Sequence, residues 1–330
     1  MIKVVFAWTP AFAAKYLKSL ILDERFSVSA IISQEDKKIW RKQILTETET
    51  KKIWTENNIP VFQPQKKSEI TDILKNEQPD IFVVVAYWKI LPIESLKIAK
   101  FNINVHWSIL PQYRWASPIQ SAVLNWDSET WISIMNVEEK MDVWAVWNIH
   151  KCKIEKFDTS ETIFEKLEKF SGNFWDDLVN IFSTTKIWKL KSKFKATSQD
   201  ENLATYCKKI SKEDWKIDFK NETAEKIFYK SNSFTPWPWI FCYFWNKKIK
   251  IIKSDFIKIL PNSSGNFLFK IKNFFTIKKF WKIFFQNKKI FVQTKSWFLE
   301  LLEIQAEWKK PQKIWDFLNW NKNFINWILN

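Results

Sequence analysis

Asn104 and His106 stand two residues apart in the run Asn102-Ile103-Asn104-Val105-His106 of this 330-residue chain. The run reads as a β-strand, and residues two apart on a strand project to the same face. An amide beside an imidazole offers two N–H donors. Such donors stabilise a carbonyl oxygen as it gains negative charge in a tetrahedral intermediate, and the imidazole can also move a proton. The pair falls at the C-terminal end of its strand, the edge at which open α/β sheets place their sites. A lone histidine on an apolar strand is commonly a hydrogen-bonded core residue, so the case for chemistry rests on its neighbours.

Those neighbours form a long pattern. After His106 come Ser108-Ile109-Leu110-Pro111 and then Arg114-Trp115-Ala116-Ser117-Pro118-Ile119. The whole resembles the signature of the 10-formyltetrahydrofolate-dependent formyltransferases: Asn, His two residues on, Ser-Leu-Leu-Pro, then Arg-Gly-Ala-x-Pro-Ile. Trp131-Ile132-Ser133-Ile134-Met135, followed by Met141-Asp142-Val143-Trp144, resembles a second stretch of that family, one ending in Asp-x-Gly. The resemblance implies that Asp142 is the catalytic carboxylate. It would orient His106 and accept, directly or through water, the proton lost by an attacking amine. Many members continue Asp-Thr-Gly-Asp where this chain has Asp142-Val143-Trp144-Ala145. Glu138 and Glu139 read as solvated loop charges. Val84-Val85-Ala86-Tyr87-Trp88-Lys89-Ile90-Leu91-Pro92 resembles the family's pterin-pocket strand and loop. By resemblance, then, 10-formyltetrahydrofolate is the co-substrate. Ala86, Tyr87, Trp88, Ile90, Leu91, Ser108, Ile109, Leu110 and Pro111 would line its site, with no metal.

The likeness extends along nearly the whole chain and is weakest from Lys253 to Lys295. Val5-Phe6-Ala7-Trp8-Thr9-Pro10, Leu203 to Asp214, Phe234 to Trp239 and Leu301 to Trp320 resemble the branch that formylates methionyl initiator tRNA. The segment Gln34 to Lys42 resembles that branch's basic loop, which implies that Arg41 and Lys42 contact tRNA. Charge agrees. The chain carries +16, which suits a phosphate-rich partner. From Phe241 to Ile290 twelve lysines face one acidic residue, Asp255, and alternate with Phe, Tyr and Ile. That composition reads as a nucleic-acid-binding surface, with Lys247, Lys248 and Lys250 as candidate contacts.

The elements that must position these residues follow from hydrophobic period. Ile2–Ala7, Val28–Ile32, Ile59–Phe62, Ile81–Ala86 and Asn102–His106 read as strands. Ala11–Leu22, Ser68–Asn76 and Thr159–Phe182 read as helices, and Gln34–Thr46 as a loop. Short apolar strands alternating with helices predict an α/β fold with a doubly wound, mostly parallel sheet, Rossmann-like in outline. The first strand lacks G-x-G-x-x-G, so the fold carries no sign of a dinucleotide. After a helix at Glu222–Ser231 come short strands at Phe241–Phe244, Lys248–Ile252, Phe267–Ile271, Ile283–Phe285, Ile290–Gln293 and Phe298–Ile304. They predict a small, OB-like β-barrel. The expected division is a catalytic domain at 1–190, a polar, basic linker at 191–217 and a tRNA-binding barrel at 218–330.

One anomaly runs through all of this. The chain has 22 tryptophans and 2 glycines, together near the 23 or so glycines that ordinary usage of about 7% gives a chain of this length. Many tryptophans sit where glycine chemistry is wanted: Trp8 after the first strand, Trp126 in Asn-Trp-Asp, Trp239 after Pro-Trp-Pro, and Trp320 in Asn-Trp-Asn. Trp107, Trp115 and Trp144 fall on glycines of the family pattern. The expectation is a gene in which UGA encodes glycine, read here as tryptophan, with Trp237 genuine.

Three scattered cysteines (Cys152, Cys207 and Cys242) and two histidines (His106 and His150) show neither a disulfide framework nor metal-ligand spacing. The longest apolar run, Ile81 to Trp88, is far short of a membrane span of roughly 20 residues. The reading is therefore a cytoplasmic, monomeric enzyme. Two alternatives stand beside it. One is a formyltransferase acting on a small amine, such as an amino sugar or glycinamide ribonucleotide. The other is a non-catalytic RNA-binding protein, should the tryptophans be real and crowd the site.

Overall fold

A computed structural model describes residues 1–8, 14–35, 37–39, 44–46, 57–85, 87, 89, 91–137, 142–170, 173–176, 178, 197–244, 246–258, 283–286, 289–321 and 324. The chain forms two compact units, one of residues 1–119, 128–153 and 163–208, the other of residues 120–127, 154–162 and 209–330.

The first unit is built on a seven-stranded sheet. In chain order its strands are β1 (Ile2–Trp8), β2 (Phe26–Ser33), β5 (Val61–Phe62), β6 (Ile81–Val85), β7 (Phe101–His106), β9 (Glu129–Asn136) and β10 (Val146–Lys153). In space the order is β10-β9-β7-β6-β1-β2-β5. The pairs β1–β2, β1–β6, β2–β5 and β6–β7 are parallel, while β7–β9 and β9–β10 are antiparallel. The sheet is thus mostly parallel, as the strand–helix alternation predicts. Val4 to Trp8 and Ile81 to Val85 are buried throughout, the mark of strands covered on both faces.

Helices α1 (Ala14–Ile21) and α2 (Lys67–Glu77) lie among these strands in the chain. Ile70, Ile73 and Leu74 of α2 pack with Val5, Ala7, Phe82 and Val84. Burying each such side chain contributes about 1.5–3 kcal/mol. The helix ends at Gln78, whose left-handed backbone turns its N–H onto the carbonyl of Leu74, the usual αL stop.

Several expectations need correction. The segment Gln34–Thr46 contains two short antiparallel strands, β3 (Lys37–Ile39) and β4 (Ile44–Thr46), rather than only a loop. Strands β9 and β10 lie outside the strands expected from the sequence, whose apolar and polar residues do not alternate strictly there. The helix expected over Thr159–Phe182 is α4 (Ser160–Glu168), with further helical residues at 173–176 and 178. Trp8 closes a strand and Trp320 closes a helix, so neither occupies a turn. The strand expected at Phe267–Ile271 and most of Lys186–Asn202 lie outside the described residues.

The second unit holds the antiparallel sheet expected of its short strands. These are β12 (Phe241–Phe244), β13 (Lys247–Ile257), β14 (Ile283–Gln286), β15 (Lys289–Gln293), β16 (Phe298–Ala306) and β17 (Gln312–Lys313). Their order is β12-β13-β16-β15-β14, with β17 also on β16. Helix α5 (Ala224–Ser233) buries Ile227 and Phe228 with Ile249, Ile251, Leu299 and Leu301 of the sheet. Thr223 caps it by accepting from the N–H of Lys226.

Candidate active site

Strand β7 runs between parallel β6 and antiparallel β9, with Asn104 opposite Met135 and His106 opposite Ser133. This fixes the amide and the imidazole near the end of the strand. The chain then turns through β9, and Asp142 lies in the connection between β9 and β10. There the carboxylate oxygen Oδ1 comes within 3.5 Å of Asn104 Nδ2 and 3.7 Å of His106 Nδ1. The side chains of His106 and Asp142 are only 9% and 12% exposed. Contacts of this length are what catalytic groups show before substrate tightens them. The three expected residues are therefore brought together, although Asp142 is 38 residues from Asn104 in sequence.

The neighbouring segment 113–115 supports both groups. His106 Nε2 lies 2.9 Å from the carbonyl of Tyr113. A carbonyl only accepts, so that contact places a hydrogen on Nε2 and leaves the Nδ1 edge toward Asp142. The backbone N–H of Trp115 donates to Asp142 Oδ2 at 3.0 Å. Both carboxylate oxygens are thus engaged, Oδ2 by a backbone donor and Oδ1 by the Asn104 amide, with the His106 ring 3.7 Å away. Asp142 itself has φ 60, in the left-handed region that non-glycine residues enter at a cost of about 1–2 kcal/mol.

The residues expected to line a folate pocket divide. Tyr87 and Leu91 pack together against the core of the first unit, alongside Leu96, Ile98 and Val137. The Tyr87 hydroxyl is buried with no hydrogen-bond partner among the described residues, and burial pushes its pKa up to about 12. A neutral phenol without a partner suits a ring nitrogen or carbonyl of a bound heterocycle. The Ser108 side chain donates to Gln112 O at 2.6 Å and the Ser108 carbonyl accepts from Ser133 at 2.7 Å. Its hydroxyl therefore shapes the loop holding Ile109, Leu110 and Pro111. Leu110 clusters with Met135 and Val146, an apolar floor beside Asn104. Ala86, Trp88 and Ile90 lie outside the described residues.

Sequence reading missed the residues behind this arrangement. Arg114, fully buried, sends Nη1 and Nη2 to the two oxygens of Glu201, at 2.9 and 2.8 Å. It also reaches Gln199 and Tyr206. The hydrogen bonds to Glu201 hold its pKa above the ordinary guanidinium value. Strand β8 (Arg114–Trp115) pairs in parallel with β11 (Tyr206–Cys207). Arg114 stands in the motif, but nothing in the polar stretch around Gln199 marks it.

In the second unit Lys248 and Lys250 pair across β12–β13 with Tyr243 and Phe241. Lys248 Nζ sits 3.8 Å from the centre of the Phe241 ring, and Lys216 Nζ 5.9 Å from that of Tyr243. Partial burial and the neighbouring Lys250 lower the Lys248 pKa. Lys247 is exposed. A strip of cations and rings offers phosphate contacts with stacking faces between them. Arg41 and Lys42 lie outside the described residues. Among the described residues no cluster of His, Cys, Asp and Glu is arranged to hold a metal, and no helix is long and apolar enough to cross a membrane.

Known proteins resemble the chain in both halves. Residues 2–176 match the family Formyl transferase and residues 209–322 match Formyl transferase, C-terminal domain. A methionyl-tRNA formyltransferase of Campylobacter jejuni (strain RM1221) is 40% identical over 245 residues, covering 73% of this chain and 76% of that protein. One of Pelagibacter ubique (strain HTCC1062) is 34% identical over 321 residues, covering 96% and 94%. Among solved structures, WlaRD, a sugar 3N-formyl transferase in the presence of dTDP and 5-N-formyl-THF, superposes with a TM-score of 0.59 at 18% identity, covering 94% of this chain and 99% of that one. At that identity the match speaks for the fold alone.

Proposed function

The chain belongs to the formyl transferase family, and from that membership we propose that it transfers a formyl group from 10-formyltetrahydrofolate to the amino group of methionyl initiator tRNA. The observation that carries the chemistry is the convergence of Asn104 and His106 on the Asp142 carboxylate, at 3.5 and 3.7 Å. Relatives that bear the methionyl-tRNA formyltransferase name over nearly the full chain support the acceptor.

The folate supplies the formyl carbon and leaves as tetrahydrofolate. Asn104 donates its amide N–H to the formyl oxygen as the methionine nitrogen bonds to that carbon. His106, on the same strand face, supplies a second donor once its Nε2–H exchanges the Tyr113 carbonyl for the formyl oxygen. Asp142 takes the proton released by the amine, directly or through water, while the folate nitrogen regains a proton as its bond to carbon breaks. Tyr87 and Leu91, with the loop from Ser108 to Pro111, would hold the pterin; the Tyr87 hydroxyl, buried and with no hydrogen-bond partner among the described residues, supports that placement. Lys247, Lys248 and Lys250 would hold tRNA phosphates, with Arg41 and Lys42 at the acceptor stem. This reading places the reacting groups in 1–190, braced by residues 199–207 of the 191–217 linker, and RNA binding in 218–330, in a cytoplasmic monomer.

The same reading extends to the tryptophans. Nine non-glycine residues have positive φ among the described residues, and five are tryptophan: Trp115 at 83, Trp126 at 61, Trp239 at 69, Trp297 at 71 and Trp308 at 65. Only glycine enters that region freely. This concentration supports glycine at those positions in the cell, through UGA codons. Trp237, outside the set, stays tryptophan. Peptide masses from the protein made in its own cells test this: glycine is expected at positions 115, 126 and 308 and tryptophan at 237, and tryptophan at all four would end the idea.

Formyl transfer is tested by offering the purified protein 10-formyltetrahydrofolate with charged initiator tRNA, an amino-sugar nucleotide or glycinamide ribonucleotide. Formylmethionyl-tRNA is the expected product. Turnover confined to a small amine would replace the acceptor and keep the reaction. No transfer to any of the three would leave an RNA-binding role.

A further inference from the structure

Gln199 uses its whole hydrogen-bonding capacity beside the candidate site. Its Nε2 donates to the carbonyls of Asp142 and Trp144, at 2.9 and 2.7 Å. Its Oε1 accepts from Nε and Nη2 of Arg114, at 3.2 and 2.8 Å. The two groups it joins flank the carboxylate. On one side is the turn that carries Asp142; on the other is Arg114, whose next residue donates its backbone N–H to Asp142 Oδ2. The following residues repeat the embrace. Thr205 Oγ1 accepts from the N–H of Tyr113, and its carbonyl accepts from the N–H of Arg114. Tyr113 in turn supplies the carbonyl that receives His106 Nε2. The segment 199–207 thus braces both loops that aim the trio, and all of these residues belong to the first unit.

Asp142 needs such a brace. Its φ of 60 is one that an aspartate leaves when nothing holds it, because extended and right-handed backbones are the lower-energy regions. Rotation out of it would swing the carboxylate away from Asn104 and His106. The Gln199 amide grips the carbonyl of that very residue and the carbonyl two residues on.

We propose that Gln199 is a positioning residue for formyl transfer, holding Asp142 in its left-handed backbone through the two carbonyl contacts while Arg114, itself held by Glu201, holds Gln199. The proposal rests on the reading of Asp142 as the catalytic carboxylate. Gln199 touches no reacting atom and acts only through that turn.

Two substitutions separate this from a merely structural role. Gln199→Glu keeps an acceptor for Arg114 but removes both donors and sets a carboxylate against two carbonyls. Gln199→Met removes everything at similar size. Both are expected to lower kcat by about 10²-fold, the scale of a misplacement of about 1 Å, with KM for folate and tRNA little changed. In the Asp142→Asn background Gln199→Met should cost nothing more, because the group it positions is already gone. The proposal is overturned if Gln199→Glu turns over like the wild type, since only the Arg114 contact would then matter. It is equally overturned if Gln199→Met lowers kcat as much in the Asp142→Asn background. Should Gln199→Met not fold, with Arg114 short of a partner, Gln199→Glu decides alone. Asp142→Asn by itself checks the underlying reading: a near-normal rate there removes the carboxylate from the mechanism, whatever Gln199 does.

Discussion

The candidate active site and the basic strip of the second unit are built on opposite plans. In the first unit a few short contacts converge on one buried carboxylate: Asn104, His106 and the N–H of Trp115 meet Asp142 within 3.0 to 3.7 Å. In the second, Lys247, Lys248 and Lys250 are spread along one strand among rings, Lys247 exposed and the other two partly so. Buried polar groups act through geometry, and one lost partner is felt in full. Exposed cations act through summed charge, and each contributes a screened share. Chemistry should therefore fail abruptly and binding should fade.

The largest expected effect tests the abrupt half. Asp142→Asn should lower kcat by 10² to 10⁴, the range of a lost acid–base group, while tRNA affinity stays close to normal; turnover and a binding isotherm measured together show the split. The fading half comes next. Replacing Lys247, Lys248 and Lys250 together by Met should leave kcat at saturating tRNA intact and flatten the salt dependence of binding by about 2–3 in log–log slope. An unchanged slope would move the RNA surface elsewhere, and a collapsed kcat would erase the contrast between the two regions. The smallest effect lies in backbone strain within the second unit. Trp308, 76% exposed at φ 65, should gain about 0.5–1 kcal/mol on change to glycine, relief of left-handed strain exceeding the added chain entropy. Trp237, 64% exposed with its ring 5.4 Å from that of Trp215, should lose stability on the same change. Urea midpoints of the two variants are expected to move in opposite directions.

How much of this was legible in the sequence depended on local pattern. Asn104 and His106 could be placed on one strand face because a period of two survives in five residues. The parallel strands were visible because burial on both faces makes them unbroken apolar runs, as Ile81 to Val85 shows. Asp142 was legible only through family resemblance. Its flanking strands β9 and β10 lack alternation, and the turn between them shows tryptophan at Trp144, where glycine would have marked a break. The strands within Gln34–Thr46 were obscured by lysines, which fit a loop as well as an edge hairpin. Gln199 was invisible for a different reason. Its meaning comes from a partner 57 residues away, and no local period encodes such a distance.

The brace from Gln199 to Cys207 also bears on how this protein could be recombined. A designer exchanging the second unit for another would be drawn to cut near residue 190, where the sequence turns polar and basic. That cut would remove Gln199, Glu201, Thr205 and Tyr206 from the half meant to keep the reaction, and Arg114 would lose its hydrogen bonds to Gln199, Glu201 and Tyr206. The first unit, which holds the candidate site and its brace, ends at residue 208. What looks like a tether is the last structural member of the catalyst, and chimaeras should be joined beyond it.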